Sequence, residues 1–237
     1  MPKDPAIFAK KIGLTFTDPE LLCQAFTHRS YLNENRPPGG AESTSLHNER
    51  LEFLGDAVLE LVITNYLYKK YPTKTEGNLT AYRAALVNAT TIGQIAEELG
   101  VNEYLRLSRG EAQDTGRARQ IILANTYEAI IGAIYLDQGY DSAERFLATT
   151  LFPSVTKVVA EKLWQDAKSY FQERAQEVTA LTPHYEVLEE SGPDHDKTFL
   201  VGVYLGDILV AKGSGHSKQE AEQAGARAGL KAKGWDQ

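Results

Sequence analysis

The acidic residues of the segment NERLEFLGDAVLEL, Asn48–Leu61, have a spacing that could support metal chemistry. If the segment is an α-helix, Glu49, Glu52 and Asp56 fall at i, i+3 and i+7 and lie within an arc of about 60°. A solvated acidic face is the simpler interpretation. Gly55 weakens it, because a glycine inside a helix costs about 1 kcal/mol relative to alanine and usually marks the close approach of another backbone or a ligand.

A second acidic element lies in the segment ILANTYEAIIGAIYLD, where Asn125 and Glu128 share a helix face at i and i+3. Its neighbours are mostly apolar, and an isolated carboxylate in such surroundings needs a partner because a buried charge is costly. Two oxygen-bearing side chains from each segment would form an all-oxygen site of the kind that Mg²⁺ prefers: Glu52, Asp56, Asn125 and Glu128. A bound Mg²⁺ polarises a phosphodiester and lowers the pKa of a bound water, so phosphate hydrolysis is the leading chemistry.

Helices in the first two thirds of the chain must bring these side chains together. From Pro5 to about Ala160, apolar residues recur mostly at helical spacing, which predicts an all-α domain over residues 1–160. The helix that carries the first acidic cluster is predicted to bury a face made of Leu51, Leu54, Val58 and Leu61.

Capping and breaking residues predict where some of these helices begin and end. Asp18 before Pro19 is typical of a helix start, and Pro72 should end the acidic helix. The polar segments Asn33–Ser45 and Glu111–Arg119 are predicted to be surface loops.

The last third of the chain has a different pattern and predicts a second domain over residues 166–237, joined by a linker at 161–165. A helix is followed by three alternating runs, HYEVLEE, TFLVGVYL and ILVAKGSG, and then by a final helix, which gives an α+β domain of order α-β-β-β-α. One face of the middle strand is predicted to pack under the final helix, through Phe199, Val201, Val203 and Leu205. Ser217 and Glu220 have the spacing of a reciprocal capping box.

Composition limits the classes of function. The 237 residues are 42% hydrophobic and 24% charged, with a net charge of −7, which argues against a generic polyanion binder. The densest apolar run, Ala129–Leu136, is far shorter than the roughly 20 residues that cross a bilayer. Cys23 is the single cysteine, which fits a reducing cytoplasm. A protein without membrane association and located in the cytoplasm is expected.

The chain resembles bacterial ribonuclease III over nearly its full length. The resemblance is carried by FTHRSY, NERLEFLGD, EGNLTAYRAALVN and ILANTYEAIIGAIYLDQG, and in the last third by KSYFQERAQ, GPDHDKTF and GSGHSKQEAEQ. It implies an endonuclease domain followed by a double-stranded RNA-binding domain. It also implies a homodimer that cuts both strands of a duplex, leaves 5′ phosphates and short 3′ overhangs, and acts in rRNA and mRNA processing.

Carried over by position, the resemblance assigns Mg²⁺ binding, with Mn²⁺ as a substitute, to Glu52, Asp56 and Glu128, and a supporting catalytic role to Glu49. Phe53 matches an aromatic residue that contacts the partner subunit. Asn125 stands where the family usually has aspartate, which should weaken metal affinity because an amide brings no negative charge. A tolerated variant is favoured; the alternative is a double-stranded RNA-binding protein with weakened or lost cleavage. A weaker hypothesis is a helical interaction module whose acidic face has no role.

The second domain carries eight Lys and Arg against twelve Asp and Glu, so its RNA contacts must be placed individually. The resemblance assigns them to Ser169, Gln172, Glu173 and Gln176, to Pro193, Asp194 and His195, and to Ser217 and Lys218. A helix N-terminus beside a lysine is a ready phosphate site, which supports the last pair most strongly. In the first domain, Arg117 and Arg119 are candidate RNA contacts. A solvated surface residue is the alternative for each of these positions.

Overall fold

The computed structural model describes residues 2–35, 47–162, 164–193 and 197–236. The chain divides into two compact units, Met1–Trp164 and Gln165–Gln237. Trp164 belongs to the first unit because its ring packs edge-on against Tyr82, with centroids 5.0 Å apart. The predicted domain limits and the linker at 161–165 stay predictions.

The regular elements among the described residues of the first unit are helices, apart from an isolated bridge between Thr27 and Arg106. Its helices are α1 (Pro5–Lys11), α2 (Pro19–Ala25), α3 (Arg29–Glu34), α4 (Glu49–Lys70), α5 (Glu76–Leu86), α6 (Ala89–Glu98), α7 (Gly116–Gln138), α8 (Tyr140–Thr150) and α9 (Phe152–Ala160). Short 3-10 turns occupy Val101–Glu103 and Glu111–Gln113. None of the helices described in either unit combines the length and the apolar character needed to cross a membrane.

The centre of this unit is the crossing of α4 and α7, which approach each other at two glycines. A Cβ atom at Gly55 would lie 1.7 Å from the carbonyl oxygen of Glu128, and one at Gly132 would lie 2.2 Å from that of Leu51. The expectation that Gly55 marks the close approach of another backbone is therefore confirmed. Only glycine at both positions allows the two helices to come this close.

The predicted core face of α4 is partly wrong. Leu51 and Val58 are buried and Leu54 packs partly against the core, but the side chain of Leu61 is 58% exposed. Helical spacing placed Leu61 near the edge of the apolar arc, and no element among the described residues covers that edge.

Helix boundaries follow the local signals in two places. Pro19 begins α2 and the Asp18 carboxylate accepts a hydrogen bond from the backbone N–H of Glu20. Helix α4 ends at Lys70, two residues before Pro72.

The two predicted loops are wrong at their edges. Asn33 and Glu34 are the last residues of α3, and residues 36–45 of that loop lie outside the described residues. Helix α7 begins at Gly116, so Arg117 and Arg119 lie in its first turn. The polar segment before α7 folds because its backbone carbonyls find donors in the Arg119 side chain.

The second unit has the predicted α-β-β-β-α order. It contains α10 (Ala167–Thr179), β1 (Pro183–Ser191), β2 (Thr198–Leu205), β3 (Ile208–Gly215) and α11 (Lys218–Lys233). The strands form an antiparallel sheet of order β1-β2-β3. Val201, Val203 and Leu205 are buried on the face that the helices cover, as predicted, while Phe199 is half-buried.

Two glycines let helix α11 pack closely, Gly225 against the sheet and Gly229 against α10. A Cβ atom at Gly225 would lie 2.6 Å from Cγ2 of Val203, and one at Gly229 would lie 3.0 Å from the Phe171 ring. At the start of α11, the Ser217 hydroxyl accepts the backbone N–H of Glu220 at 3.2 Å, as predicted. The Glu220 carboxylate, however, accepts the N–H of His216 at 3.0 Å, so the reciprocal half of the predicted box is displaced by one residue.

Candidate metal centre and RNA-binding residues

The α4–α7 crossing places the four predicted metal-site residues in one region of the first unit. Gly55 lies against the backbone of Glu128, so the acidic face of α4 meets the α7 face that carries Asn125. Glu52, Asn125 and Glu128 are half-buried, whereas Asp56 is exposed. One edge of the cluster therefore stays open to a ligand from solvent.

The electrostatics of the cluster reflect burial and mutual repulsion. Burial, followed by the charges of Asp56 and Glu52, raises the pKa of Glu128 to about 8. The pKa of Glu52 is also raised, first by burial and then by Glu49 and Asp56. A hydrogen bond from the Asn125 side chain opposes that rise by stabilising the Glu52 carboxylate. The carboxylates are thus close enough to penalise one another's ionisation.

The donor set fits a hard divalent cation. Carboxylate and amide oxygens are the ligands that Mg²⁺ prefers, and a cation would offset the repulsion that raises both pKa values. Within the part of the chain that the structure describes, no three His, Cys, Asp or Glu side chains lie close enough together to hold a metal ion by themselves. The fold therefore brings the predicted side chains into one region without arranging them around an ion position. The Asn125 side-chain amide donates a hydrogen bond to the Glu52 carboxylate.

Glu49 lies at the start of α4 beside two basic side chains, close enough to Glu52 to act on its pKa. Its carboxylate lies 3.3 Å from the Arg29 guanidinium and 3.9 Å from Nδ1 of His47. The supporting role of Glu49 stays a prediction. Sequence reasoning assigned no role to Arg29, although its segment FTHRSY carries part of the family resemblance.

Phe53 lies on the surface of α4, with 82% of its side chain exposed. Leu61 and Tyr68, 58% and 72% exposed, follow at positions that fall within about 80° of it around the helix. We call these three residues the α4 apolar stripe. Large exposed apolar side chains along one helix face make this stripe a candidate contact with another protein.

The predicted RNA-binding residues of α10 share one exposed face. Ser169, Gln172, Glu173 and Gln176 are all exposed and have the i, i+3, i+4, i+7 spacing of one helix face. The Gln223 side chain of α11 fixes the start of this helix, since its amide accepts the N–H of Ala167 at 3.0 Å and donates to Asp166 at 3.0 Å. Sequence reasoning missed Gln223 because its role depends on a contact between distant segments.

The other predicted RNA contacts are described in part. Pro193 is exposed, and Asp194 and His195 lie outside the described residues. Ser217 caps α11, while the exposed Lys218 places its ammonium group 5.8 Å from the centroid of the Phe199 ring. In the first unit, Arg117 is exposed but Arg119 is only half-exposed and bonded to backbone carbonyls.

Comparisons with known proteins agree with this geometry. The family profile described as Ribonuclease-III-like matches residues 18–155, and the double-stranded RNA binding motif matches residues 167–232. The chain is 46% identical over 217 residues to Ribonuclease 3 of Desulforamulus reducens, which covers 92% of this chain and 86% of that protein. It is 44% identical over 225 residues to Ribonuclease 3 of Bacillus cereus strain G9842, with coverage of 95% and 89%.

Solved structures give the same result for the first unit. The nuclease domain of ribonuclease III from Campylobacter jejuni, described for structural flexibility in a region involved in dimer formation, is 36% identical with a TM-score of 0.54. The match covers 62% of this chain and 96% of that one. A second structure of that domain is 35% identical, with a TM-score of 0.55 and coverage of 64% and 96%. The chain therefore belongs to the ribonuclease III family of double-stranded RNA endoribonucleases, with a double-stranded RNA-binding domain as its second unit.

Proposed function

We propose that this endoribonuclease depends on Mg²⁺, with Mn²⁺ as a substitute, and that Glu52, Asp56, Asn125 and Glu128 hold the ion. The observation that carries the proposal is the crossing at Gly55, which half-buries Glu128 beside Asp56 and Glu52, so that burial first and the two neighbouring charges second raise the pKa of Glu128 to about 8. When bound, a divalent ion supplies an activated water and stabilises the leaving oxygen.

The chain's own side chains have distinct tasks in this scheme. The Asn125 amide orients Glu52 through its hydrogen bond, and the Arg29–Glu49 pair holds the first turn of α4. The exposed face of α10 and Lys218 bind the duplex by its shape and phosphates, because the A-form minor groove presents 2′-hydroxyls over a wide surface. The scissile phosphate enters from the side of the exposed Asp56.

We propose that the active form is a homodimer joined through the α4 apolar stripe. Support comes from the 82% exposure of Phe53, and from the Campylobacter jejuni nuclease domain, for which a region involved in dimer formation is described. Two copies would supply two sites, one for each strand. Offset cuts by such a pair would leave 5′ phosphates and short 3′ overhangs, and cytoplasmic rRNA and mRNA precursors are the proposed substrates.

A cleavage assay on a perfect RNA duplex with Mg²⁺ tests the metal-dependent reaction. We expect the parent protein to cut, with 5′ phosphates at the new ends, and Glu128→Gln to lose activity because it removes a metal-binding charge. Intact duplex at high concentrations of the parent would count against the proposal. A single-stranded RNA of the same sequence serves as the substrate control.

Asn125 supports a second candidate, a duplex-binding protein with weakened or lost cleavage, because its amide donates to Glu52 and adds no negative charge. The variant Asn125→Asp separates the two. For an active parent we expect Asn125→Asp to lower the Mg²⁺ concentration needed for half-maximal cleavage. If the parent binds duplex but does not cut it, and Asn125→Asp restores cutting, the binding function becomes the better account.

A further inference from the structure

The segment that precedes α7, residues 108–115, is anchored at its first half by three backbone donors. The N–H of Ser108 donates to the Ser30 hydroxyl at 3.1 Å, and the N–H of Arg109 donates to both carboxylate oxygens of Glu34 at 3.2 Å. The N–H of Glu111 then donates to the Ser108 hydroxyl at 3.2 Å. We call this segment the 108–115 loop. The bonds of Ser108 and Arg109 tie the beginning of the loop to α3, and the bond of Glu111 closes a turn within the loop.

The second half of the 108–115 loop depends on Arg119. Its Nη2 donates to the carbonyl oxygen of Glu111 at 2.8 Å, and its Nε donates to that of Asp114 at 3.2 Å. Its Nη1 is enclosed by protein and has no hydrogen-bond partner among the described residues. Two of the three guanidinium nitrogens therefore donate to the loop, and the third is enclosed by protein.

Arg117 differs from Arg119 in exposure and in direction. It is exposed in the first turn of α7, the helix that carries Asn125 and Glu128. Eleven residues separate it from Glu128, which corresponds to about 16 Å along the helix and about 20° around it. Arg119, nine residues before Glu128, lies about 180° away around the same helix. Arg117 therefore shares the face of the metal-site residues, while Arg119 points to the opposite side.

We infer that Arg119 is a positioning residue that holds the 108–115 loop and the first turn of α7 so that Arg117 meets the phosphate backbone of a bound duplex. The inference rests on the proposed function, because a duplex engaged at Glu128 is what brings phosphates within reach of Arg117. The sequence predicts that Arg119 contacts RNA, whereas under this inference Arg119 positions the 108–115 loop in the free protein. Arg117 is the phosphate contact.

The experiment compares Arg117→Ala, Arg119→Ala, Arg119→Lys and the double variant, with Lys10→Ala on α1 as a charge-matched control. Amide hydrogen exchange is measured over residues 110–116 without RNA. Affinity for a perfect RNA duplex is measured in EDTA over a range of salt concentrations, and kcat and KM are measured with Mg²⁺.

We expect exchange in residues 110–116 to be at least tenfold faster in Arg119→Ala, intermediate in Arg119→Lys, which keeps one donor group, and unchanged in Arg117→Ala. Removing the Arg117 contact should make the salt slope of binding shallower by about 0.9. The double variant should lose no more slope than Arg117→Ala, because Arg119 acts through Arg117. KM should rise in all four variants with kcat nearly unchanged, and Lys10→Ala should match the parent.

Unchanged exchange in Arg119→Ala, together with slope losses that add in the double variant, would show that Arg119 itself contacts phosphate and would overturn the inference. An Arg117→Ala protein with the parent's slope would overturn it as well. Failure of the parent to bind duplex would instead remove the proposed function, while the exchange measurements on the free protein would still report whether Arg119 holds the loop.

Discussion

At the scale of single residues, Glu128 shows how a fold can oppose the ionisation of a side chain that the proposed metal site would require. The carboxyl group is half-buried on α7 beside Asp56 and Glu52, and its pKa rises to about 8. The metal-free protein therefore keeps a proton on Glu128 that a bound cation would displace. In the proposed metal site, ion binding at Glu128 would therefore be coupled to proton release.

This coupling predicts how the stability of the metal-free protein depends on pH. The folded protein holds the Glu128 proton up to about pH 8, whereas the unfolded chain releases it near 4.5, so the unfolding free energy should fall as pH rises between those values. In Glu128→Gln this contribution is absent. We expect the variant to melt a few degrees above the parent at pH 8 in EDTA, and the difference to vanish below pH 4.5.

Thermal melting curves at several pH values check this prediction, with and without Mg²⁺. Added Mg²⁺ should raise the Tm of the parent at pH 8 and leave that of Glu128→Gln nearly unchanged, because a ligand stabilises only the state that binds it. Equal Tm values for the two metal-free proteins at pH 8 would contradict the assigned environment of Glu128.

At the scale of elements, the α4–α7 crossing determines both the stability of the first unit and the geometry of its site. The backbones meet at Gly55 and Gly132, and the predicted metal-site residues lie beside those contacts. A side chain larger than that of glycine at Gly55 or Gly132 would force α4 and α7 apart. Packing and chemistry are therefore sensitive to the same substitution.

Gly55→Ala should destabilise the first unit and abolish cleavage. Its Cβ would lie 1.7 Å from the Glu128 carbonyl oxygen, and overpacking of a core typically costs about 1–3 kcal/mol. Gly77→Ala on α5 is the matched control, because a Cβ there meets no atom closer than 4.0 Å. That variant should keep activity and gain up to about 1 kcal/mol from helix propensity. Urea unfolding and duplex cleavage measure both effects, and a stable, active Gly55→Ala protein would disprove the close approach.

At the scale of the whole molecule, an acidic chain of net charge −7 is built to bind a polyanion. The net charge of the chain therefore does not attract RNA, and in the proposed function RNA recognition depends on a few individually positioned side chains in each unit. The α4 apolar stripe provides a further surface. A second copy of the chain bound there would double the number of groups available to contact RNA. Assembly and RNA binding are thus linked in the proposed function.

Phe53→Glu should convert the proposed homodimer to a monomer, because a charge at an apolar contact must be desolvated without a partner. Sedimentation equilibrium should give twice the subunit mass of 26.2 kDa for the parent and the subunit mass for the variant. Ile208→Glu, at a side chain that is 67% exposed in the second unit, is the control and should remain dimeric. A monomeric parent, or a dimeric Phe53→Glu protein, would refute the interface.

Short-range patterns determined most of the elements from sequence alone. Helical spacing and strand alternation predict most of the helices and strands. Asp18 and Pro19 predict the start of α2, and Pro72 predicts the end of α4. Each of these signals depends on residues within a turn or two of one another. The pairing of Glu52 and Asp56 with Asn125 and Glu128 was also anticipated, since a carboxylate among apolar residues requires a partner.

Tertiary structure alone decided the features that depend on distant segments. It placed the backbone of Glu128 against Gly55, left Leu61 in solvent, and used Gln223 to fix the start of α10. Within one segment, it also directed the Arg119 guanidinium to the carbonyls of the 108–115 loop, a contact that the polar sequence around Arg119 does not predict. Spacing states which side chains share a helix face, but what meets that face is settled only when another segment packs against it.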